Sequence, residues 1–229
     1  MRLAILRSLA VSSVLALTGS VFASPVPWSS PNGTTLDYDY FNGQSANGLF
    51  GNPTVFNGSF LFFPQNFKAV SSNGTTGHAD DSVSFDISVK NGKSVTGITV
   101  NEIGDYSITG TGTVNIGGSL SITDLSGPPV TTTSLLTSTP GSPITTTTSA
   151  TGNWSATATT TNLPNGWTVF HVNLTNILDA SSTPGGVATV QKKIAQGAIE
   201  VSIIVPEPAS IGLLAAAGSA LLGRRRRNS

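Results

Sequence analysis

The chain has 229 residues, no cysteine and a formal net charge of zero. The absence of cysteine excludes disulfides, thiol catalysis and cysteine-ligated metal centres. Between Ser24 and Val205 there are five lysines, no arginine and ten acids, a net charge of −5. This balance argues against a nucleic-acid partner, because phosphate binding needs a cationic surface.

The N-terminal segment, residues 1–23, has the pattern of a secretory signal peptide. Two arginines precede an apolar run over residues 9–17, and small residues end the segment. A first transmembrane helix is the weaker alternative, because the apolar run is too short to cross a bilayer. We expect export by the secretion machinery and cleavage between Ala23 and Ser24.

Residues 24–205 are predicted to form one all-β domain, an antiparallel β-sandwich. Threonine, serine, glycine and asparagine dominate, and long helix-forming runs are absent. Candidate strands follow one another at intervals of roughly 8 to 12 residues, as in sandwiches and barrels. Besides the pair described next, they cover residues 58–63, 67–71, 105–109, 113–116, 119–125, 167–174 and 197–205.

The clearest strand covers residues 82–90, where four apolar residues alternate strictly with polar ones. Asn91-Gly92 is a turn signal, and residues 94–101 resume a strand pattern. The two segments are therefore predicted to form a hairpin. Because the alternation changes phase around Gly97, a β-bulge is expected there.

The first part of the domain contains a set of aromatic residues. They could form part of the core or a platform for a ligand. We favour the core, because aromatic side chains are routinely buried and their spacing shows no display on one side. The set comprises Trp28, Tyr38, Tyr40, Phe41, Phe50 and Phe56.

Residues 131–161 are threonine-rich and of low complexity. They fit either a mobile connection or a pair of edge strands, since threonine is a good strand former. We favour strands on both flanks of a loop at residues 139–143, with Trp154 anchoring the second strand.

Two histidines, His78 and His171, are too far apart in sequence to suggest a histidine metal centre. His171 lies in an alternating strand pattern and is predicted to be structural. His78 lies beside Asp80 and Asp81, and the pattern places this cluster in a glycine-rich loop. It is the one local group of titratable residues that stands out.

Carboxylates in loops could bind Ca²⁺, which prefers oxygen ligands. The weak candidates are Asp80, Asp81 and Asp86, and separately Asp37 and Asp39. Neither set has the spacing of a known calcium loop, so solvated acids are the favoured interpretation. No other cofactor is expected.

Glu102 and Asp105 are the remaining pair of acids that could do chemistry, as the two carboxylates of a glycosidase. This interpretation requires them to converge in a cleft, and acids near turns are ordinary. The favoured expectation is that the protein is not an enzyme.

The C-terminal segment, residues 206–229, combines three features in order. Pro206-Glu207-Pro208 precedes an uncharged apolar stretch at residues 209–223, predicted to be a transmembrane helix. As a helix this stretch is about 22 Å long against a hydrocarbon core of ~30 Å, so it is barely long enough to span. A cytoplasmic stop follows, made of Arg224, Arg225, Arg226 and Arg227.

Together these features resemble the PEP-CTERM sorting signal of bacterial exported proteins, a match that covers about a tenth of the chain. The resemblance implies that an exosortase recognises Pro206, Glu207 and Pro208 and processes the signal. It also implies a cell-surface or biofilm-matrix protein in bacteria that make exopolysaccharide.

The sequence thus predicts an exported, exosortase-sorted surface or matrix protein, structural or adhesive in role. It would be held in the inner membrane by the C-terminal helix and reach the cell surface or the medium after processing. The alternative is a carbohydrate-binding module, with or without Ca²⁺, because a sandwich with aromatic residues and acidic loops could hold sugars.

Overall fold

The computed structural model describes residues 24–90, 93, 95–161, 163–164, 167–193 and 199–205. All regular structure in these residues is β-strand, and every strand pairing is antiparallel. The strands are β1 (Val26–Pro27), β2 (Gly33–Thr34), β3 (Tyr38–Ser45), β4 (Thr54–Phe56), β5 (Ser59–Phe62), β6 (Lys68–Ser72), β7 (Thr76–Val89), β8 (Gly97–Thr109), β9 (Gly112–Asp124), β10 (Thr131–Leu135), β11 (Thr137–Thr139), β12 (Ile144–Thr146), β13 (Ala150–Thr161), β14 (Val169–Ser182), β15 (Val187–Lys192) and β16 (Ile199–Ile204).

The strands form two sheets of eight strands each, which confirms the predicted all-β sandwich. Sheet 1 has the order β1-β3-β7-β14-β9-β10, with β2 beside β3 and β12 beside β9. Sheet 2 has the order β11-β13-β8-β16-β5-β4, with β15 beside β8 and β6 beside β15. The two predicted termini, the signal peptide and the C-terminal helix, lie outside the described residues.

Alternation along the central strands separates the core from the outer faces. In β7 the side chains of Val83, Phe85 and Ile87 are fully buried, while the residues between them are mostly polar. β14 repeats the pattern, with Phe170 and Val172 facing inward. Each sheet therefore buries one face in the shared core and leaves the other to solvent.

The aromatic residues that open the domain are largely part of this core, as predicted. Trp28, Tyr38, Tyr40 and Phe50 are buried, whereas Phe56 is 62% exposed in the short strand β4. Trp28 packs against several rings at once, including Phe85 at a centroid distance of 5.5 Å. The N-terminal strands thus complete the core rather than display a ligand platform.

The predicted hairpin between residues 82–90 and 94–101 is wrong. Both strands exist, but β7 pairs with β3 and β14 in sheet 1, while β8 pairs with β13, β15 and β16 in sheet 2. Two strands with one buried face each can pair side by side or face each other across a core, and alternation looks the same in both cases. The turn signal Asn91-Gly92 lies outside the described residues.

The bulge expected near Gly97 is also absent from the described part of β8. The strand begins at Gly97, and its register with β13 and β16 runs without a shift. The change of phase lies before the strand, so it needs no bulge. A register shift does occur in β3, between Phe41 and Gln44.

The remaining predicted strands are present with altered lengths. Residues 58–63, 67–71 and 199–205 correspond to β5, β6 and β16, and 167–174 overlaps the first part of β14. Residues 113–116 and 119–125 merge into β9, and 105–109 belongs to β8. The threonine-rich segment forms β10 to β13 around a loop at residues 140–143, as favoured. Its last strand, β13, is not an edge strand, because it lies between β11 and β8.

Candidate functional site

The outer face of sheet 1 carries a continuous polar surface across β7, β14 and β9. Alternation directs the even-numbered residues of β7 and the odd-numbered residues of β14 and β9 away from the core. The strand registers align these residues in rows, such as His78, Asp179 and Asn115. This surface brings together both histidines of the chain with several carboxylates and amides.

His78 lies within β7, so the predicted glycine-rich loop is wrong. Its Nδ1 is 2.6 Å from Oδ1 of Asp179 on β14, and its Nε2 is 3.0 Å from Oδ1 of Asp80. The hydrogen bond with Asp179 raises the pKa of His78, and Asp80 adds to the effect. Both ring nitrogens face carboxylate oxygens, which only accept hydrogen bonds, so these contacts favour the protonated form of the imidazole.

A groove of about 530 Å³ opens beside this cluster. Asn115 Nδ2 donates to Asp179 Oδ2 at 3.3 Å, and the Ser142 hydroxyl donates to Oδ1 of Asn115. Pro143 supplies an apolar wall on the far side. The volume is within the usual range for small-ligand sites. The lining residues are Thr76, Gly77, His78, Thr113, Asn115, Pro143, Asp179, Ala180 and Ser181.

His171 occupies the opposite end of the same strand pair, and its prediction as a structural histidine agrees with its contacts. Its Nδ1 is 2.6 Å from Oδ1 of Asp86, the residue directly opposite it on β7. Asn42 Nδ2 donates to the other oxygen of Asp86 at 2.7 Å. The three side chains form a local network that ties β3, β7 and β14 together.

The three calcium candidates on β7 do not converge. Asp80 and Asp86 point outward but are six residues apart, about 20 Å along a strand. Asp81 is 1% exposed and points inward. Asp37 and Asp39 form ion pairs with Lys93 and Lys90 instead of a common site. In the part of the chain that the structure describes, no group of three or more histidines and acids is arranged to hold a metal.

Asp81 is a structural anchor for residues 45–50. Its Oδ2 accepts from the Ser45 hydroxyl at 2.5 Å and from the backbone N–H groups of Leu49 and Phe50. Its Oδ1 accepts from the N–H groups of Asn47 and Ser82 at 2.7 and 2.8 Å. These five donors stabilise a buried carboxylate and fix the segment that carries Phe50 into the core.

The glycosidase interpretation of Glu102 and Asp105 is wrong in its geometry. The two residues lie three positions apart on β8, so they point to opposite faces of sheet 2. Glu102 is buried and pairs with Lys192, whereas Asp105 is partly exposed. Lys192 was missed from sequence, although the alternation of Ala188, Val190 and Lys192 places it on the inner face of β15.

All three tryptophans are buried: Trp28, Trp154 and Trp167 are 4%, 2% and 5% exposed. None of them can therefore stack on a sugar ring at the surface. Trp154 does anchor β13, as predicted, and its ring lies across Gly104 on the neighbouring strand.

The predicted sorting residues, Pro206 to Pro208 and Arg224 to Arg227, lie outside the described residues, as do Ala23 and the rest of the signal peptide. Ser24 is the first residue that the structure describes. Across the described ranges, none of the elements is a helix of the length and hydropathy needed to cross a bilayer.

No family model and no curated protein matches the chain. Among solved structures, the chain is similar to TmCBM61, a carbohydrate-binding module solved with β-1,4-galactotriose, at 8% identity and a TM-score of 0.22, covering 79% of this chain and 100% of that one. It is also similar to the enzymatically active domain of tailspike protein 4 of bacteriophage CBA120, at 13% identity and a TM-score of 0.23, covering 66% of this chain and 21% of that one. TM-scores this low give neither likeness any weight for function.

Proposed function

We propose that the protein is an exported surface or extracellular-matrix protein whose sandwich acts by binding and by its own rigidity, not by catalysis. The observation that supports this proposal is the state of its acid–base groups. Both histidines are bound to carboxylates, and Glu102 is paired with Lys192 inside the core. A general base needs a free position facing a substrate. His78 has both ring nitrogens engaged and Glu102 is enclosed, which supports a role in binding for the face around His78; His171 is engaged at Nδ1 alone.

The delivery of the protein is part of the same proposal and rests on the two ends of the sequence. The signal peptide exports the chain, and the short helix at residues 209–223 holds it in the inner membrane with the arginines inside. An exosortase then recognises Pro206, Glu207 and Pro208 and releases the domain to the cell surface or matrix, close to exopolysaccharide.

The test is a comparison of cells that have or lack the exosortase. We expect the protein to move from the membrane fraction to the surface or medium only when the enzyme is present. Replacing all three of Pro206, Glu207 and Pro208 with alanine should retain it in the membrane, while Ser210→Ala should not. An unchanged location in both strains contradicts the sorting proposal.

A second candidate function, carbohydrate binding, is favoured by the groove beside His78. Hydroxyl, amide and carboxylate groups line one side and Pro143 the other, which suits the polar edge and apolar face of a sugar ring. His78 and Asp179 line the groove, and Asp80, which contacts His78 from outside the lining, adds a second carboxylate nearby. This charge favours neutral or amino sugars over acidic polysaccharides.

Affinity electrophoresis against neutral and acidic polysaccharides, with and without Ca²⁺, tests the second candidate. We expect retardation by a neutral polysaccharide, reduced about tenfold in Asn115→Ala, which removes one lining hydrogen-bond partner. Ser121→Ala is the matched control, because Ser121 lies on the same face of β9 outside the groove. Absence of retardation under every condition rules out this candidate.

A further inference from the structure

Lys192 and Glu102 form an ion pair inside the sandwich. Lys192 is the last residue of β15 and lies opposite Gly104. Glu102 lies two residues before Gly104 on β8, on the same inner face. The Lys192 Nζ is 2.5 Å from Oε2 of Glu102, and both side chains are fully enclosed. Charged groups are almost never buried to this extent unless they are paired.

The surroundings of the pair are aromatic. The Lys192 Nζ lies 5.2 Å from the ring centroids of both Phe67 and Trp154. Trp154 can lie this close because Gly104 has no side chain, and a Cβ at that position would overlap the indole ring. The pair is thus held in a pocket that the core builds around it.

The second oxygen of Glu102 shows that the pair is not a well-satisfied salt bridge. Oε1 of Glu102 is buried and has no hydrogen-bond partner among the described residues. An ion pair in an apolar interior stabilises a protein only when the remaining lone pairs are satisfied. Its net contribution to stability as an ion pair is therefore expected to be small or unfavourable, which leaves the pair without a structural explanation.

The same surroundings favour the uncharged form of Lys192. Burial lowers the pKa of the Lys192 ammonium, against the opposing charge and hydrogen bond of Glu102. Transfer of one proton from Nζ to the carboxylate removes both charges from a medium of low dielectric. The product is a neutral amine in contact with a neutral carboxylic acid.

We propose that Lys192 and Glu102 join in an amide cross-link. The Nζ lone pair attacks the Glu102 carboxyl carbon, a C–N bond forms and the C–OH bond breaks. The hydroxyl leaves as water together with one hydrogen from the nitrogen. No oxidant, reductant or other reactant is needed.

The closeness of the two groups and the exclusion of water from the site favour this reaction. The carboxyl carbon lies one bond beyond Oε2, which puts Nζ at roughly the 3 to 3.5 Å separation of a near-attack geometry. Groups held at this separation with their orbitals aligned react with effective concentrations of about 10⁵ M or more, and here this alignment requires the carboxyl group to turn its face towards Nζ. An enclosed site also disfavours the reverse reaction, because hydrolysis needs water to return between Phe67 and Trp154.

The cross-link would connect the end of β15 to β8 and close a long loop of chain. A covalent loop closure of this kind constrains the unfolded state, as a disulfide does. The chain has no cysteine, so this amide would be a covalent staple independent of redox conditions. The inference is independent of the sorting and carbohydrate-binding proposals.

Peptide mapping of the mature wild-type protein under denaturing conditions tests the cross-link. Trypsin cuts after Lys93 and has no further site before Lys192, so Glu102 and Lys192 lie in one fragment, and acylation of Lys192 moves the end of this fragment to Lys193. A second protease that cuts before aspartate then divides this fragment at Asp105, Asp124 and Asp179. We expect residues 94–104 and 179–193 to remain one species, lighter than the two peptides together by one water molecule.

Variants identify the two partners. Glu102→Leu and Lys192→Met should each abolish the linked species and give residues 94–104 as a separate peptide, and Glu102→Leu should also restore tryptic cleavage after Lys192. Lys193→Met is the matched control, since Lys193 contacts Asn153 on the outer face, and it should keep the link. Separate wild-type peptides at their full masses overturn the proposal, whatever the folding of the variants.

Discussion

His171 on β14 and Asp86 on β7 lie directly opposite each other, with Nδ1 of the histidine 2.6 Å from Oδ1 of the aspartate. The other end of the same strand pair has the reverse arrangement, in which His78 on β7 faces Asp179 on β14. These two cross-strand pairs join the centre of sheet 1 at both ends. In both pairs the aspartate contacts Nδ1 of the histidine.

The titration of His78 gives the first prediction. Because Asp179 raises its pKa, the contribution of this pair to stability is fully present below about pH 6.5 and is lost as the pH rises through the higher pKa of the folded protein. An NMR titration should place the midpoint of His78 above 6.5. Asp179→Asn should lower that midpoint, and a wild-type midpoint below 6.5 contradicts the assignment.

Removing the charge of Asp81 should destabilise the domain. Asp81→Asn places an amide group against backbone donors that need an acceptor, and we expect a loss of about 2 to 4 kcal/mol in the free energy of unfolding. Urea denaturation measures it. Asp80→Asn is the control, because Asp80 is exposed, and it should change stability by less than about 0.5 kcal/mol. Equal effects of the two variants would contradict the anchoring role.

Replacing Asn176 with leucine should stabilise the domain more than the same replacement at Asn173. Its side chain is buried, and neither amide atom has a hydrogen-bond partner among the described residues. Asn176→Leu removes the penalty for two unpaired polar groups, so we expect an increase of about 1 kcal/mol in unfolding free energy. Asn173→Leu on the outer face should give a change within about 0.5 kcal/mol. Destabilisation by Asn176→Leu would show that the amide has a partner.

A methyl group at Gly104 should be poorly tolerated. Its Cβ would overlap both the Trp154 ring and the backbone carbonyl of Gln191, so we expect Gly104→Ala to lower the unfolding free energy by about 3 kcal/mol. Gly117→Ala is the matched control, because no atom lies within 4 Å of a Cβ there. Thermal denaturation compares the two, and similar midpoints would contradict the packing of Trp154 against β8.

The class of fold could be predicted from the sequence because its longest strands bury one face each. The alternation of Val83, Phe85 and Ile87 fixes which side of β7 faces the core. It does not fix the neighbour, so β7 and β8 were paired in a hairpin although they belong to opposite sheets. Pairing depends on how the whole chain closes its core, and a local pattern carries no such information.

The candidate site was predicted less well, because its residues become neighbours only through the register between paired strands. His78 and Asp179 are 101 positions apart in sequence, and they become neighbours only when β7 and β14 align. Lys192 had a sequence signal, since it continues the inward alternation of β15, but a lysine is normally assigned to solvent. The predictions for the two targeting ends depend on linear order alone, so they need no fold and stay predictions.

The intact mass of the chain isolated from cells with and without the exosortase tests the central claim most directly. We predict that the mature chain begins at Ser24 in both strains, and that only the strain with the enzyme lacks the C-terminal segment with Arg224 to Arg227. A chain of the same mass in both strains, or one that retains residues 1–23, would contradict the account of an exported and exosortase-sorted surface protein.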